Sequence, residues 1–178
     1  RSAIDQVERR QAADDRVVAP GGRTVLLTHG ARTPRVDVLL HGFTDSPSQF
    51  TELADSLYQR GDNVYVPRLP HHAERSGDAR ALAGMTAVQL RQTADSAADV
   101  AAALGDTVVV VGLSVGGTMA AWMGQHRPEV GRVVMIAPAF EAGRVPSRLE
   151  GHPRRQRAGA AHQSERAHRT ITERARAR

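Results

Sequence analysis

Several residue types are missing from this chain or scarce in it. Its 178 residues include no cysteine and no lysine, and aromatic residues make up 3% of them. Without cysteine, disulfide bonds and thiolate metal sites are excluded, and no redox compartment is indicated. The longest apolar runs have the length of strands, far below the ~20 residues that a membrane span needs. We therefore expect no membrane span, and the sequence indicates neither a metal ion nor an organic cofactor.

The length is that of one domain with enough chain for a real core. No secretory signal is visible, which favours a cytoplasmic location. The first residue is Arg1 rather than Met, so either a leading segment was removed or the chain is a fragment. No oligomeric state is predicted.

Charge is unevenly distributed, and it divides the chain. Residues 1–143 carry 14 Arg and 16 acidic residues, whereas residues 144–178 carry 10 Arg and 3 Glu. Large aliphatic residues are also rare in the second part, which therefore cannot bury enough surface to fold by itself. We predict a flexible lead-in over 1–16, a core over 17–143 and a disordered, Arg-rich tail over 144–178.

Strand and helix patterns alternate from residue 35 to residue 138, which favours a doubly wound, mostly parallel α/β sheet. Two possible capping boxes, Ser46–Gln49 and Thr86–Gln89, each precede a helical stripe of apolar residues. The first two β-rich runs are close in sequence and predict a hairpin. The β-rich runs are 23–28, 35–40, 63–67, 107–112 and 132–138.

A Gly-x-Ser-x-Gly pattern around Ser114 follows the run of four valines. The glycines Gly112 and Gly116 permit a tight strand-to-helix turn, which exposes the serine hydroxyl at the carboxyl edge of the sheet. Ser114 is therefore the candidate nucleophile. A phosphate-binding loop fits the same stretch poorly, since neither Gly-x-Gly-x-x-Gly nor Gly-Lys-Ser/Thr is present.

A second pattern is "LLHGFTDSP" at 39–47, a His-Gly pair between a strand and a helix. A turn at Gly42 can aim the backbone N–H of Phe43 at a developing oxyanion, and Val115 would supply the second N–H. The other interpretation of the pair is a plain connecting loop.

Four stretches together resemble a known superfamily. They are "LLHGFTDSP", "VYVPRLP", "VVVGLSVGG" and "VVMIAPAF", and they span about residues 35–140. In order and spacing they are similar to the α/β-hydrolase superfamily, and most of all to its bacterial carboxylesterase and monoacylglycerol-lipase-like branch.

The resemblance implies a serine hydrolase that cleaves small carboxylic esters through an acyl-serine intermediate. It implies Ser114 as nucleophile, Phe43 and Val115 as oxyanion donors, and no cofactor. One departure lies in the stretch "RLPHHAE", where His71 and Ala73 stand in place of glycines.

The partners of a serine nucleophile are not identifiable. In the superfamily an Asp or Glu and then a His follow the nucleophile at later strand ends. No aspartate follows Ser114, and none of the later acids or histidines lies at a position that favours either role. They are Glu129, Glu141, Glu150, Glu165, Glu173, His126, His152, His162 and His168. The general base and acid are therefore unassigned, and His71 and His72 are two further candidates.

The chain thus resembles the N-terminal part of a hydrolase that lacks the last strands. A truncated or frame-shifted gene would explain this, and it leaves the activity of this chain open. The run at 132–138 would then form an exposed apolar sheet edge that favours aggregation. The alternative function is a non-catalytic α/β scaffold whose Arg-rich arm binds a polyanion. The arm has no aromatic residue for base stacking, which argues against nucleic acid.

Overall fold

The computed structural model describes residues 2–77 and 79–140. Within them lie four α-helices, five β-strands and two 3-10 helices. The α-helices are α1 (Ala3–Val17), α2 (Thr51–Gln59), α3 (Ala87–Leu104) and α4 (Val115–His126). The strands are β1 (Val25–Leu27), β2 (Thr33–Leu40), β3 (Asn63–Val66), β4 (Gly105–Leu113) and β5 (Val130–Ile136), and the 3-10 helices are Pro47–Phe50 and Ala79–Gly84.

The strands form one sheet in the order β1-β3-β2-β4-β5. All neighbours pair in parallel except β1, which is antiparallel to β3. Apolar side chains of α1, α3 and α4 cover one face of the sheet, and those of α2 cover the other. The predicted doubly wound, mostly parallel α/β sheet is confirmed.

The first two strands do not form the expected hairpin. Both edges of β2 are occupied by parallel neighbours, β3 and β4, so that β1 pairs with β3 instead. The link between β1 and β2 is fixed to the start of β3, where Asn63 accepts from the His29 N–H and donates to the Ala31 carbonyl. This tie holds the link across the end of the sheet.

Residues 1–16 were expected to be a flexible lead-in, but α1 occupies most of them. Ser2 and Asp5 form a capping box at its start. Val7 is 1% exposed in the core, and buried Asp14 forms an ion pair with Arg68 and accepts from the Thr24 N–H. The apolar pattern of the sequence does not indicate this helix, because polar contacts make up much of what holds α1 in place.

One of the two predicted capping boxes is present. The Thr86 and Gln89 side chains cap α3 as expected. Ser46 caps nothing through its side chain, because its hydroxyl pairs with Ser48 and the Gln49 amide oxygen accepts from the Gly42 N–H. The Gln49 side chain therefore binds the backbone of the loop before the helix and does not cap the helix.

Among the described strands, β5 has a neighbour on one side only. Three of its apolar residues are well exposed, Val134 at 42%, Met135 at 46% and Ile136 at 41%. The predicted tail at 144–178 lies outside the described residues. None of the helices in the described part of the chain is long and apolar enough to cross a membrane.

Candidate active site

Ser114 is the single residue between the end of β4 and the start of α4, and its backbone conformation is strained. Its φ of 55° and ψ of −117° lie in a region that residues other than glycine rarely adopt. Three hydrogen bonds hold this geometry. The Ser114 N–H donates to the Ile136 carbonyl at 2.9 Å, and its own carbonyl accepts from Thr118 and Ala139, each at 3.1 Å. The sharp turn predicted from Gly-x-Ser-x-Gly is thus present.

The two flanking glycines leave no room for a side chain. A Cβ atom on Gly112 would overlap the carbonyl of Gly116, and one on Gly116 would overlap the carbonyl of Leu40 at the end of β2. Glycine at both positions therefore lets α4 start directly against β4 and β2. We call residues 112–117 the elbow.

The hydroxyl of Ser114 is available for chemistry. It is half-buried, and it makes no hydrogen bond to another residue in the described ranges. The residue lies at the carboxyl ends of β2 and β4, the edge at which ligands bind in open α/β sheets. The start of α4 adds N–H groups without intrahelical acceptors, among them that of Val115.

Residues 41–45, the His-Gly loop, pack against the elbow. A Cβ atom on Gly42 would lie 3.1 Å from Leu113 Cδ2 and 3.8 Å from Ser114 Cβ. Gly42 therefore permits a close approach of the His-Gly loop to the end of β4 and to the elbow.

The backbone groups next to the Phe43 N–H all have partners. The Gly42 N–H donates to Gln49 Oε1 at 2.9 Å, the Gly42 carbonyl accepts from His41 Nδ1 at 2.9 Å, and the Phe43 carbonyl lies 2.8 Å from His72 Nε2. The Phe43 N–H itself donates to no other described residue. Such a free N–H, held by its neighbours beside a serine, is suited to bind an oxyanion.

His41 is a neutral, fully bonded residue of the interior. Its Nε2 accepts from the Leu69 N–H at 3.1 Å, so the proton is on Nδ1, which donates to Gly42. Burial lowers the pKa of His41 to about 4, because the charged form would lose its hydration. His41 thus links the His-Gly loop to the chain after β3.

That chain segment, residues 69–73, is called the histidine turn here. His71 and Ala73, which stand where the resemblance implies glycine, have left-handed φ values of 63° and 53°. The turn therefore keeps a glycine-like shape at two residues that carry a Cβ atom, at a cost in strain. His71 contacts Glu74 at 3.5 Å and Gln89 at 3.2 Å.

No described histidine is a partner of Ser114. Both ring nitrogens of His41 and of His72 are already bonded to other groups. His126 stacks on Trp122 at the far end of α4, roughly 18 Å from Ser114 along the helix. His152, His162 and His168 lie outside the described residues. The general base and acid remain unassigned, as the sequence analysis left them.

An apolar cavity of about 290 Å³ lies between the first turns of α3 and α4. It begins at Val115, the residue after Ser114, and extends along α4 to Trp122. Its other lining residues include Leu90, Ala94 and Met119. The cavity offers a water-poor surface on the side of the elbow.

The sequence matches the Alpha/beta hydrolase family over residues 38–177. This stretch contains the His-Gly loop, the histidine turn and the elbow. The chain therefore belongs to the alpha/beta hydrolase family, as its motifs predicted.

One curated relative is a lipase. A thermostable monoacylglycerol lipase of Bacillus sp. (strain H-257) is 28% identical over 120 residues, which cover 64% of this chain and 44% of the lipase. This chain thus spans less than half the length of that curated relative.

Solved structures share the fold at lower identity. A structure from work on LipS and LipT, two metagenome-derived lipolytic enzymes, has a TM-score of 0.63 at 23% identity, covering 76% of this chain and 54% of its own. The monoacylglycerol lipase of Paleococcus ferrophilus has a TM-score of 0.53 at 18% identity, covering 71% and 48%.

Proposed function

We propose that the protein is a carboxylic ester hydrolase with Ser114 as its nucleophile. The observation that carries this is the pairing of a free, strained serine with an unpartnered N–H at Phe43. Val115, at the start of α4, is the second N–H donor in this proposal. The lipolytic relatives favour esters as the substrate class.

The reaction would proceed in two steps. Ser114 Oγ attacks the ester carbonyl carbon, its proton passes to a base, and the alcohol departs with a proton from that base. Water then attacks the acyl-serine, which releases the carboxylic acid and restores the hydroxyl. In both steps the negative charge on the carbonyl oxygen would be bound by the N–H groups of Phe43 and Val115.

The apolar cavity beside Val115 is suited to the hydrocarbon part of such a substrate. Its walls are formed mainly by aliphatic side chains and Trp122, with Arg91 and Thr118 as the polar members. An acyl chain placed there would leave water, which favours binding by about 0.8 kcal/mol for each buried methylene.

The test is hydrolysis of a short-chain p-nitrophenyl ester by the full chain and by Ser114→Ala. We expect turnover by the parent chain and its loss in the variant, by a factor of about 10³ or more, since the acyl-enzyme could not form. A fluorophosphonate, followed by intact mass, should add one phosphonyl group to the parent chain and none to Ser114→Ala.

Ser56→Ala is the matched control, since Ser56 is exposed on α2. It should keep both turnover and labelling. Equal turnover in parent and Ser114→Ala would contradict the proposal. So would a folded parent chain that neither hydrolyses the ester nor takes the label.

A further inference from the structure

The apolar cavity beside the elbow is formed by matching faces of two helices. Each helix contributes four lining residues, which begin with Ala87 on α3 and with Val115 on α4. In both helices the four follow the spacing i, i+3, i+4, i+7, so each set lies on one face of its helix. Both helices lead into parallel strands, α3 into β4 and α4 into β5, and therefore start from the same edge of the sheet. The cavity thus extends from the edge that carries Ser114 along the first two turns of both helices.

The two helices present side chains of different size to this space. Ala87 and Ala94 line it on α3, whereas Met119 and Trp122 line it on α4. Protein interiors are close-packed, and small residues opposite large ones on helices of the same direction leave a gap. The unfilled volume of about 290 Å³ is therefore a product of the two alanines.

The polar lining residues offer little to water. The Thr118 hydroxyl already donates to the Ala139 carbonyl at 2.9 Å, and Arg91 is exposed. A buried water molecule needs about two to four polar partners, and cavities that lack them take apolar molecules instead. Because the cavity begins at Val115, beside Ser114, the apolar chain that reaches it is the acyl chain of an ester held at the elbow.

Trp122 lines the inner end of the cavity. It is the last lining residue along α4, seven positions and about 10 Å beyond Val115. Its ring stacks on that of His126, with the centroids 4.7 Å apart and the planes 10° apart. The indole is also packed against the core of this face of the sheet. Held on both sides, it forms a wall of defined position.

We infer that this cavity is the acyl-chain site and that Trp122 determines the length of chain it accepts. The inference rests on the proposed function, since it names the acyl group that the Ser114 site takes. An apolar cavity of about 150 Å³ holds a six-carbon molecule such as benzene, so about 290 Å³ has room for on the order of ten carbons. Each methylene up to that length strengthens binding roughly fourfold, and further methylenes add nothing because they meet the indole.

The first test uses the fluorescence of Trp122, which is the one tryptophan of the 178-residue sequence. The full chain is titrated with 10-bromodecanoic acid and with 2-bromodecanoic acid, and decanoic acid is the control without bromine. Bromine quenches tryptophan on contact. With the carboxyl group at Ser114, only a bromine at the far end of the chain reaches Trp122. We expect saturable quenching that is several times stronger with the 10-bromo acid; equal quenching by both acids, or none by either, would overturn the inference.

The same titration with Ser114→Ala separates this inference from the proposed function. The variant has no nucleophile, but its cavity is unchanged, so the difference between the two bromo acids should persist. That difference supports the chain site even where the parent chain shows no ester turnover. Conversely, turnover that depends on Ser114 together with equal quenching by the two acids would leave the proposed function standing and refute the chain site.

The second test asks whether Trp122 sets the length. Calorimetric titration with saturated fatty acids of eight to fourteen carbons should show affinity that rises with length up to about ten carbons and then levels off. In Trp122→Ala the rise should continue to longer chains. Trp122→Phe, which keeps an aromatic ring in the packing, should extend it by fewer carbons. A plateau at the parent length in both variants would overturn the role of Trp122.

Tyr58→Ala is the matched control for this test. Tyr58 is also a partly buried aromatic residue stacked on a histidine, His29, with ring centroids 4.2 Å apart. It lies on α2, which covers the other face of the sheet. Its loss should leave the plateau at the parent length. A plateau moved equally by Tyr58→Ala and Trp122→Ala would show a general loosening of the fold and would refute a specific role of Trp122.

Discussion

At the scale of single residues, Asp37 is the most perturbed carboxyl group in the described chain. It lies in β2, is 3% exposed and has Arg35 as its ion-pair partner at 3.3 Å. Although the two atoms lie within ion-pair distance, neither Asp37 Oδ2 nor Arg35 Nε has a hydrogen-bond partner in the described part of the chain. Loss of hydration on burial, reinforced by nearby Asp62, raises the pKa of Asp37 from 3.8 to about 6.

This shift makes the stability of the fold depend on pH. Because the folded state holds the proton more tightly than the unfolded state, the stabilisation is complete below pH 3.8 and is lost as the pH rises to about 6. Asp37→Asn removes this loss. Relative to the parent chain, the free energy of unfolding of the variant should rise by about 2 to 3 kcal/mol between pH 4 and pH 7.

Urea unfolding at several pH values measures this difference. Asp55→Asn is the control, because Asp55 is exposed on α2, and its curve should stay parallel to that of the parent chain. If the plot of unfolding free energy against pH for Asp37→Asn is also parallel to that of the parent chain, the pKa of Asp37 is not raised in the folded state.

The residue scale also shows what the sequence can predict about the site. The elbow was predictable, since Gly112, Ser114 and Gly116 are within five positions and their sterics are local. The parts played by Gln49 and His72 were not. The contact from His72 to Phe43 joins residues 29 positions apart, and it exists only because the ends of β2 and β3 meet at one sheet edge. A histidine in a loop carries no sign of such a contact.

At the scale of elements, one arginine joins α3 to the link between α4 and β5. Arg127 forms ion pairs with Asp95 and Asp99 on α3 and with Glu129 just before β5. A guanidinium group can bind several carboxylates at once because its donors point in fixed, divergent directions. Without it, three negative charges would remain together with no cation between them.

Arg127→Met should therefore destabilise the protein by about 1 to 2 kcal/mol, more than a single exposed ion pair would. The loss should shrink at high salt, since screening weakens both the attraction and the remaining repulsion. Thermal unfolding at low and high salt measures both effects. Arg91→Met on α3 is the control, as Arg91 is exposed and has no ion pair within the described ranges; equal losses in the two variants would contradict the prediction.

Elements with strong local signals were predicted well, and those held by tertiary contacts were not. The cap at Thr86 and the alanine-rich stripe of α3 are local features, and both were found. Helix α1 was missed because its buried positions include a charged residue, Asp14, whose partner Arg68 lies far along the chain. The hairpin prediction was wrong because it considered only how close β1 and β2 are in the sequence. In the structure β3 and β4 occupy both edges of β2, which leaves no edge for β1.

At the scale of the whole molecule, the exposed strand β5 predicts self-association. Its apolar residues Val134, Met135 and Ile136 are exposed, and β4 is its only neighbour among the described strands. Unpaired backbone groups beside apolar side chains favour pairing with another chain. We expect the apparent mass in sedimentation velocity to increase with concentration across the micromolar range.

Val134→Lys should reduce this increase, because a charge on an edge strand opposes edge-to-edge pairing. Val88→Lys introduces the same charge at a valine that is 56% exposed on α3, and it should associate like the parent chain. A parent chain that stays monomeric at every concentration would contradict the prediction.

The same strand also controls the lifetime of the candidate site. The unusual backbone of Ser114 is held by hydrogen bonds to Ile136, the last residue of β5, and to Ala139 just beyond it. Edge strands open locally at a lower free energy than the whole fold, without global unfolding. Each such opening frees Ser114 to relax to an ordinary backbone conformation while β2, β3 and β4 stay paired. Loss of the pairing between β5 and β4 would remove two of the three hydrogen bonds that hold the Ser114 backbone, so the elbow depends on a strand that is not part of it.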